Sequence, residues 1–171
     1  WLSLIMLVNR SGTMVVPFMT LYLTGKEMNR SLSEAGLVMA LFGLGSIVGA
    51  YFGGKFSDKF GFYKVQLLSL LFGGTLFIVL GQLKSYPLIC VFTFILSLVN
   101  ESFRPANASA IAHYSSIQNR TRSYSLNRLA INLGWAIGAS IGGLIASINY
   151  ELLFWVDGLT NIGAAILLIK V

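Results

Sequence analysis

The chain has 171 residues, of which 56% are hydrophobic and only 11% are charged, and its formal net charge is +6. So little polar surface excludes an ordinary soluble domain of this length, so the chain is expected to lie in a lipid bilayer. In a membrane protein the positive charge reports orientation, so no nucleic-acid partner is predicted.

Six apolar runs approach or exceed the roughly 18 to 20 residues that cross a bilayer as a helix. No run alternates apolar and polar residues as the strands of an outer-membrane barrel do. We therefore expect an all-α membrane protein with six transmembrane helices. The predicted spans are residues 1–23, 34–56, 64–83, 87–112, 126–148 and 152–169.

The basic residues outside the apolar cores are distributed unevenly between the two sides of the predicted bundle. One side carries Lys55, Lys59, Lys64, Arg120, Arg122, Arg128 and Lys170, and the other carries Lys26, Arg30 and Lys84. By the positive-inside rule, the first side is cytoplasmic. We expect the amino end to be cytoplasmic and the membrane to be the bacterial inner (plasma) membrane.

The first predicted span carries Asn9 and Arg10 near its middle and Pro17 nearer its outer end. An arginine at that depth costs about 2.5–3.5 kcal/mol to insert, so we expect Arg10 to face protein or water. In the loop that follows, Ser31 precedes Glu34 by three residues, a spacing typical of a capping box at a helix start.

Glycines recur at four-residue spacing in the second span, and the same pattern returns in the fifth span, 89 residues later. Glycines at this spacing share one helix face and allow a second helix to approach closely. Because the two spans cross the membrane in opposite directions, the pattern predicts two inverted three-helix repeats, about residues 1–83 and 87–171. The predicted packing residues are Gly45, Gly49, Gly53, Gly134, Gly138, Gly142 and Gly143.

A short polar turn containing Asp58 and Lys59 is predicted between the second and third spans. From the residues alone it is a tight, charged loop in which Lys59 and Lys64 face the anionic inner leaflet. Gly61 can adopt the positive φ that such a turn requires.

Residues 54–61 resemble the signature that the major facilitator superfamily carries between its second and third spans, although Phe62 and Tyr63 stand where the family prefers basic residues. The resemblance implies that residues 1–171 form the amino-terminal half of a twelve-helix secondary transporter, with the carboxyl half absent. It also implies a gating role for Gly54, Asp58, Lys59, Gly61 and Lys64.

The fourth span contains Asn100, Glu101, Arg104 and Pro105. At 1.5 Å per residue, Glu101 lies about 21 Å from the outer start of its helix, and Arg10 lies about 20 Å from the outer end of its own. A buried ion pair between these helices and a substrate or proton site both fit this placement. Pro105 is expected to bend the helix.

In the fifth span, Arg128 and Asn132 share a helix face and are expected to line a polar cytoplasmic mouth. Asp157 of the sixth span lies about 8 Å from the outer end, where we expect a packing contact, with a protonation site as the alternative. His113 is expected to be solvated and Cys90 to be a small core residue, so no metal site, cofactor or disulfide is predicted.

The fifth-span glycines are similar to an antiporter signature of the same superfamily, except that Ala139 replaces its usual proline. The resemblance implies proton-coupled efflux of a small organic solute by alternating access, with uptake of a peptide, sugar or other metabolite as the alternative. The implied partners are the lipid bilayer, the solute, protons and the carboxyl-terminal half. The candidate substrate or proton pathway comprises Arg10, Asn100, Glu101, Arg104, Arg128 and Asn132.

Other classes of membrane protein fit the sequence less well. A primary pump would need a phosphate-cradling Gly-x-x-x-x-Gly-Lys-Ser/Thr loop, which the sequence lacks, and no enzyme is predicted. A channel would give single-channel currents, which an exchanger should not. Because the sequence begins at Trp1 and ends at Val171 directly after an apolar run, we expect it to be a piece of a longer protein.

Overall fold

The computed structural model describes residues 1–26 and 28–170, and the regular structure within these ranges is entirely helical. Eight helices there make up six apolar spans, because the first and fourth spans each consist of two helices. The predicted all-α class is confirmed. The helices are α1 (Leu2–Ser11), α2 (Val15–Thr24), α3 (Leu32–Phe60), α4 (Phe62–Gln82), α5 (Tyr86–Glu101), α6 (Phe103–Tyr114), α7 (Arg120–Ile148) and α8 (Glu151–Lys170).

The capping box predicted at the start of the second span is confirmed at Ser31 and Glu34. The polar turn predicted after this span is wrong in extent, because α3 continues to Phe60 and only Gly61 joins it to α4. Charged residues at an exposed helix end do not terminate a helix. A lysine near the carboxyl end of a helix interacts favourably with the helix dipole. Gly61 ends the helix with a φ of 88°, which supports the expected positive φ.

Both broken spans carry a proline at the same position after the break. Pro17 and Pro105 are each the third residue of the helix that follows, in α2 and α6 respectively. A proline has no N–H to donate to the carbonyl four residues earlier, which belongs to Thr13 in one span and Glu101 in the other. The interruption expected at Pro105 is present as a break at Ser102, whereas the break in the first span was not predicted.

The helix packing has the symmetry that two inverted three-helix repeats would produce. The most extensive contacts join α3 to α5, α1 to α7 and α4 to α8. In the two repeats, α1 corresponds to α5, α3 to α7 and α4 to α8. Exchanging the repeats therefore converts the α3–α5 contact into the α7–α1 contact and converts the α4–α8 contact into itself. Between α4 and α8, a Cβ added to Gly74 would lie 2.7 Å from the Gly158 carbonyl oxygen, and one added to Gly158 would lie 2.8 Å from that of Gly74. Such reciprocal contact is what a two-fold relationship requires.

The glycines of the second and fifth spans lie where α3 closely approaches α5 and where α7 closely approaches α1. A Cβ at Gly45 would lie 2.5 Å from the carbonyl oxygen of Phe94 on α5, and one at Gly134 would lie 2.7 Å from the Cβ of Arg10 on α1. Gly143 differs, because a Cβ there would lie at an ordinary 3.7 Å from Phe18. The predicted close packing is found at six of the seven glycines, and a Cβ at Gly143 would fit without displacing a neighbour. The six are Gly45, Gly49, Gly53, Gly134, Gly138 and Gly142.

A polar layer separates two buried apolar clusters. The first cluster joins α2 and the beginning of α3 to the end of α4, to α5 and to the first half of α8, and the second joins α1 and α6 to the opposite ends of α4 and α8. Between them lie both helix breaks and most of the buried polar side chains. The fold therefore brings interrupted backbone and polar groups together at the middle of the bundle, where discontinuous helices form sites in transporters.

Candidate functional site

Arg10 and Glu101 form an ion pair in this polar layer, as their predicted depths indicated. The Arg10 Nη1 donates to Glu101 Oε1 at 3.2 Å, and both residues are buried. Arg104 Nη1 donates to the other carboxylate oxygen, Oε2, at 3.3 Å, while 59% of its side chain is exposed. Glu101 is therefore shared between one buried and one accessible guanidinium.

The helix breaks place these charges. Arg10 is the penultimate residue of α1, and the negative end of that helix favours a cation. Glu101 is the last residue of α5, so its carboxylate lies at an unfavourable helix end that the two arginines offset. The pair joins the first helix of each predicted repeat at the point where both are interrupted.

The ion pair lines a cavity of about 210 Å³. Its lining combines charged groups, two hydroxyls, two aromatic rings and branched aliphatic side chains, contributed by both broken spans, α3 and α7. Neither α4 nor α8 contributes to it in the part of the chain that the structure describes. The lining residues are Arg10, Thr13, Val16, Phe42, Ser46, Glu101, Arg104, Ile131 and Trp135.

The buried guanidinium of Arg10 keeps unused hydrogen-bonding capacity. Only its Nη1 pairs with Glu101, and its Nε and Nη2 have no hydrogen-bond partner among the described residues. A buried donor that remains unpaired costs about 1–3 kcal/mol, and more when it is charged. Arg10 is therefore a buried cation beside this cavity whose hydrogen bonds are incompletely satisfied.

Asn100, which the sequence placed in the pathway, does not line this cavity. Its Oδ1 lies 3.3 Å from the position of a Cβ built on Gly73, so the side chain faces α4. Successive helix residues point about 100° apart, and Asn100 therefore cannot share the direction of Glu101. The difference could have been read from the helical spacing.

The two fifth-span residues are separated from the ion pair. Arg128 lines a second cavity of about 490 Å³, which adjoins the first because Ile131 lines both. Asn132 is exposed and lines neither of these two cavities. Of the predicted pathway residues, Arg10, Glu101 and Arg104 are brought together and Arg128 lies in the adjoining space.

The predicted gating residues lie at the end of the bundle that holds the α3–α4 junction. Asp58, Lys59 and Lys64 are exposed, and Asp58 makes no hydrogen bond or ion pair within the residues described. The Lys59 Nζ lies 5.2 Å from the centroid of the Phe60 ring. Gly54 has open space where a Cβ would be, so close packing does not explain its presence. The gating role stays a prediction.

Asp157 is more deeply buried than its position in the sixth span indicated. It is 0% exposed, and its carboxylate accepts bonds from the backbone N–H of Met14, at 2.9 Å to each oxygen, and of Val15, at 2.7 Å. These amides begin α2, where no earlier carbonyl is available to them. The expected outer packing contact is therefore a buried cap on the broken first span.

A second polar network connects α4, α6 and α7. Gln66 Nε2 donates to Asn107 Oδ1 at 3.0 Å, and Asn107 Nδ2 donates to Asn127 Oδ1 at 3.0 Å. The sequence offered only isolated amides in separate spans, so the network could not be assembled without the fold.

We expect Asn107→Ala to destabilise the folded protein by about 1–3 kcal/mol, because it leaves a buried donor on Gln66 and a buried acceptor on Asn127 unpaired. Thermal unfolding in detergent measures the effect. Asn119→Ala, at an exposed position with no side-chain cap, is the matched control. Equal melting temperatures for the two variants would show that the network contributes nothing.

Residues 138–142 spell Gly-x-Ser-x-Gly, the spacing of a hydrolase nucleophile. Ser140 lies inside the continuous helix α7, is exposed, and donates to the Ala136 carbonyl at 2.8 Å. A nucleophile of this type needs a sharp turn between a strand and a helix, so the match is one of letters only.

Comparisons with known proteins agree with this architecture. The family model described as Major Facilitator Superfamily matches residues 2–171. The chain is similar to the uncharacterized MFS-type transporter YdeE of Escherichia coli K12, with 26% identity over 93% of the chain and 40% of that protein. It is also similar to Multidrug resistance protein 2 of Bacillus subtilis 168, with 28% identity over 83% of the chain and 35% of that protein. For the Quinolone resistance protein NorA of Staphylococcus aureus Mu50 the values are 24%, 90% and 39%. The chain thus spans 35% to 40% of the length of these three relatives.

Proposed function

Because this chain belongs to the major facilitator superfamily, we propose that it is the amino-terminal half of a secondary transporter that carries a small organic solute by alternating access. The observation that carries the proposal is the ion pair of Arg10 and Glu101, which lines a cavity beside two broken helices. Transporters of this architecture bind their solutes between two halves near the bilayer midplane. The cavity is then the contribution of this half to a shared site.

We propose that this transport is coupled to protons, with efflux as the first direction and uptake as the alternative. The names of two relatives refer to resistance to multiple drugs and to quinolones, which supports a solute of this class. Glu101 is the candidate proton carrier, because protonation would cancel its charge and release both arginines. Protonation of Glu101 shifts the equilibrium between two conformations of the transporter only if one conformation binds the proton more tightly than the other.

The charge distribution supports an orientation and a gate. Lys55, Lys59 and Lys64 cluster at one end of the bundle, which we assign to the cytoplasm of a bacterial inner membrane. Asp58 and Lys59 are exposed there and available to the carboxyl-terminal half. We propose that they hold the cytoplasmic gate closed in the outward-facing state.

Proton movement in liposomes tests the proposed coupling. With the full-length protein reconstituted and a pH-sensitive dye enclosed, adding norfloxacin, a quinolone, or ethidium to an imposed proton gradient should change the internal pH. We expect Glu101→Gln to abolish this solute-dependent change, since a glutamine cannot exchange a proton.

The matched control is Glu151→Gln, which removes a partly exposed carboxylate paired with Lys84 and should leave the response intact. Solute-dependent proton movement that persists in Glu101→Gln would remove Glu101 from the coupling. Solute flux without proton movement in the unmodified protein would replace proton coupling with facilitated diffusion or another ion.

A further inference from the structure

We propose that the central cavity is an anion site, which takes an aromatic organic anion and holds its carboxylate or sulfonate between Arg10 and Arg104. The proposal deepens the proposed function, since it rests on transport through this cavity and names the charge class of the solute. A cavity centred on a free carboxylate would instead favour organic cations.

The charges that face the cavity are positive in excess. Arg10 and Arg104 contribute two guanidinium groups, and Glu101 contributes one carboxylate. The other six lining residues are neutral. Asp157 is not a lining residue, and its carboxylate accepts hydrogen bonds from the amides of Met14 and Val15. A solute carboxylate or sulfonate would bring the local charge to zero.

The free edge of Arg10 has the geometry for an oxyanion. Its Nε and Nη2 lie on one edge of the guanidinium. Both lack a partner among the described residues and both are buried, so an oxyanion would reach this edge only once the pair with Glu101 opens. A carboxylate or sulfonate binds such an edge through two parallel N–H···O bonds. Arg104 adds a second, accessible guanidinium through its half-exposed side chain.

The neutral part of the lining matches an aromatic body. Phe42 and Trp135 supply ring faces or edges, and Val16 and Ile131 supply aliphatic surface. Pockets for small organic molecules have this composition, in which a few polar groups fix the orientation of an apolar body. The two arginines would therefore hold the charged end of the solute while these side chains contact its ring.

Glu101 makes anion binding depend on protons. Its carboxylate occupies Nη1 of both arginines, so it competes with an incoming anion for the same charges. Protonation removes the competitor and one negative charge. The proton and the anion should therefore strengthen each other's binding by the same factor. The cavity-lining residues of α3 and α7, including Phe42, Ser46 and Trp135, do not titrate, so Glu101 carries this linkage alone within the cavity.

The sign of this linkage bears on the direction of transport. A solute whose binding is strengthened by a proton is carried together with it, as in uptake by symport. A cation would be expelled by the protonated site and would exchange with protons, as in efflux by antiport. The charge of the preferred solute therefore distinguishes efflux from uptake, and an anion site favours the uptake alternative.

Two permanently charged naphthalenes test the proposal. Naphthalene-2-sulfonate and 2-naphthyltrimethylammonium share one aromatic body and do not titrate, and calorimetry with the full-length protein in detergent measures their binding. We expect the sulfonate to bind at least about tenfold more tightly than the cation, a difference of about 1.4 kcal/mol. We expect its affinity to increase as the pH is lowered.

Three variants locate the site. Arg104→Gln should weaken sulfonate binding at least about fivefold, whereas Glu101→Gln should strengthen it and abolish its pH dependence. Arg122→Gln removes an exposed arginine outside both cavities and should bind like the unmodified protein, which also corrects for partitioning into micelles. Equal or tighter binding of the cation, or equal effects of Arg104→Gln and Arg122→Gln, would overturn the proposal.

The outcome is separable from that of the liposome experiment. Solute-dependent proton movement together with preferential cation binding would leave the proposed transport intact and refute the anion site. Preferential, Arg104-dependent binding of the sulfonate without any flux would support the anion site and refute transport through it.

Discussion

Substituting alanine for Gly49 should prevent the chain from folding stably, whereas the same substitution at Gly43 on the same helix should be tolerated. A Cβ at Gly49 would collide with the backbone of Leu98 on α5, and a main-chain carbonyl cannot move aside as a flexible side chain can. Inserting extra volume into a packed core typically costs about 1–3 kcal/mol and occasionally more. Here we expect the upper end of that range or beyond, because α3 and α5 would have to separate.

The control at Gly43 removes the intrinsic preference of alanine for helices from the comparison. Nothing lies within 4 Å of a Cβ at Gly43, and alanine is more favourable than glycine in a helix by about 1 kcal/mol. Fluorescence-detected size-exclusion chromatography of tagged full-length protein measures the outcome. We expect the monodisperse peak to be lost for Gly49→Ala and kept for Gly43→Ala. Two monodisperse peaks with equal melting temperatures would contradict the close approach of α3 and α5.

This helix contact was readable from the sequence because glycine spacing reports a geometric requirement directly. The four-residue spacing of Gly45, Gly49 and Gly53 marks one helix face, and its return in α7 identified the repeat-related contact with α1. The same reasoning failed at Gly143, which shares the repeat but faces open packing. A sequence repeat shows which residues correspond, and it does not show which of them meet a neighbour.

The ion pair was also accessible from the sequence, since depth along two helices requires only the rise per residue. Arg10 and Glu101 were placed at one level, and buried charges at that level need partners. Depth along a helix does not give the direction of a side chain around it. Asn100 lies at nearly the same depth as Glu101, but the roughly 100° between successive helix residues turns it toward α4.

The break in the first span was missed although both prolines were visible. Pro17 and Pro105 are 88 residues apart, close to the 89-residue offset of the glycines, so the repeat could have transferred the expected bend from one span to the other. Without it, the sequence pattern places the amides of Met14 and Val15 within a continuous helix. Asp157 then had no visible partner, and counting from the end of its own helix made it appear shallow.

Asp157→Ala is consequently expected to have a second large effect on stability, comparable to that of a core deletion. The change leaves two amides at the start of α2 unpaired in a buried site, at a cost of about 1–3 kcal/mol each. Asp157→Asn should be milder, because an amide oxygen at the Oδ2 position can still accept from both Met14 and Val15, although the NH2 group at the Oδ1 position then faces the Met14 N–H as a second donor. The two variants thus separate the hydrogen bonds from the charge.

Thermal unfolding of the full-length protein in detergent measures these differences, with Glu151→Ala as the control on the same helix. Glu151 is partly exposed and pairs with Lys84 at 2.6 Å, and such ion pairs contribute about 0–1 kcal/mol. We expect melting temperatures to fall in the order Glu151→Ala, Asp157→Asn, Asp157→Ala. If Asp157→Ala melts with the control, the broken first span is held by the close packing of α1 and α7 rather than by its cap. Arg10, the penultimate residue of α1 and one turn before the capped amides, would then depend for its position on Gly134 and Gly138.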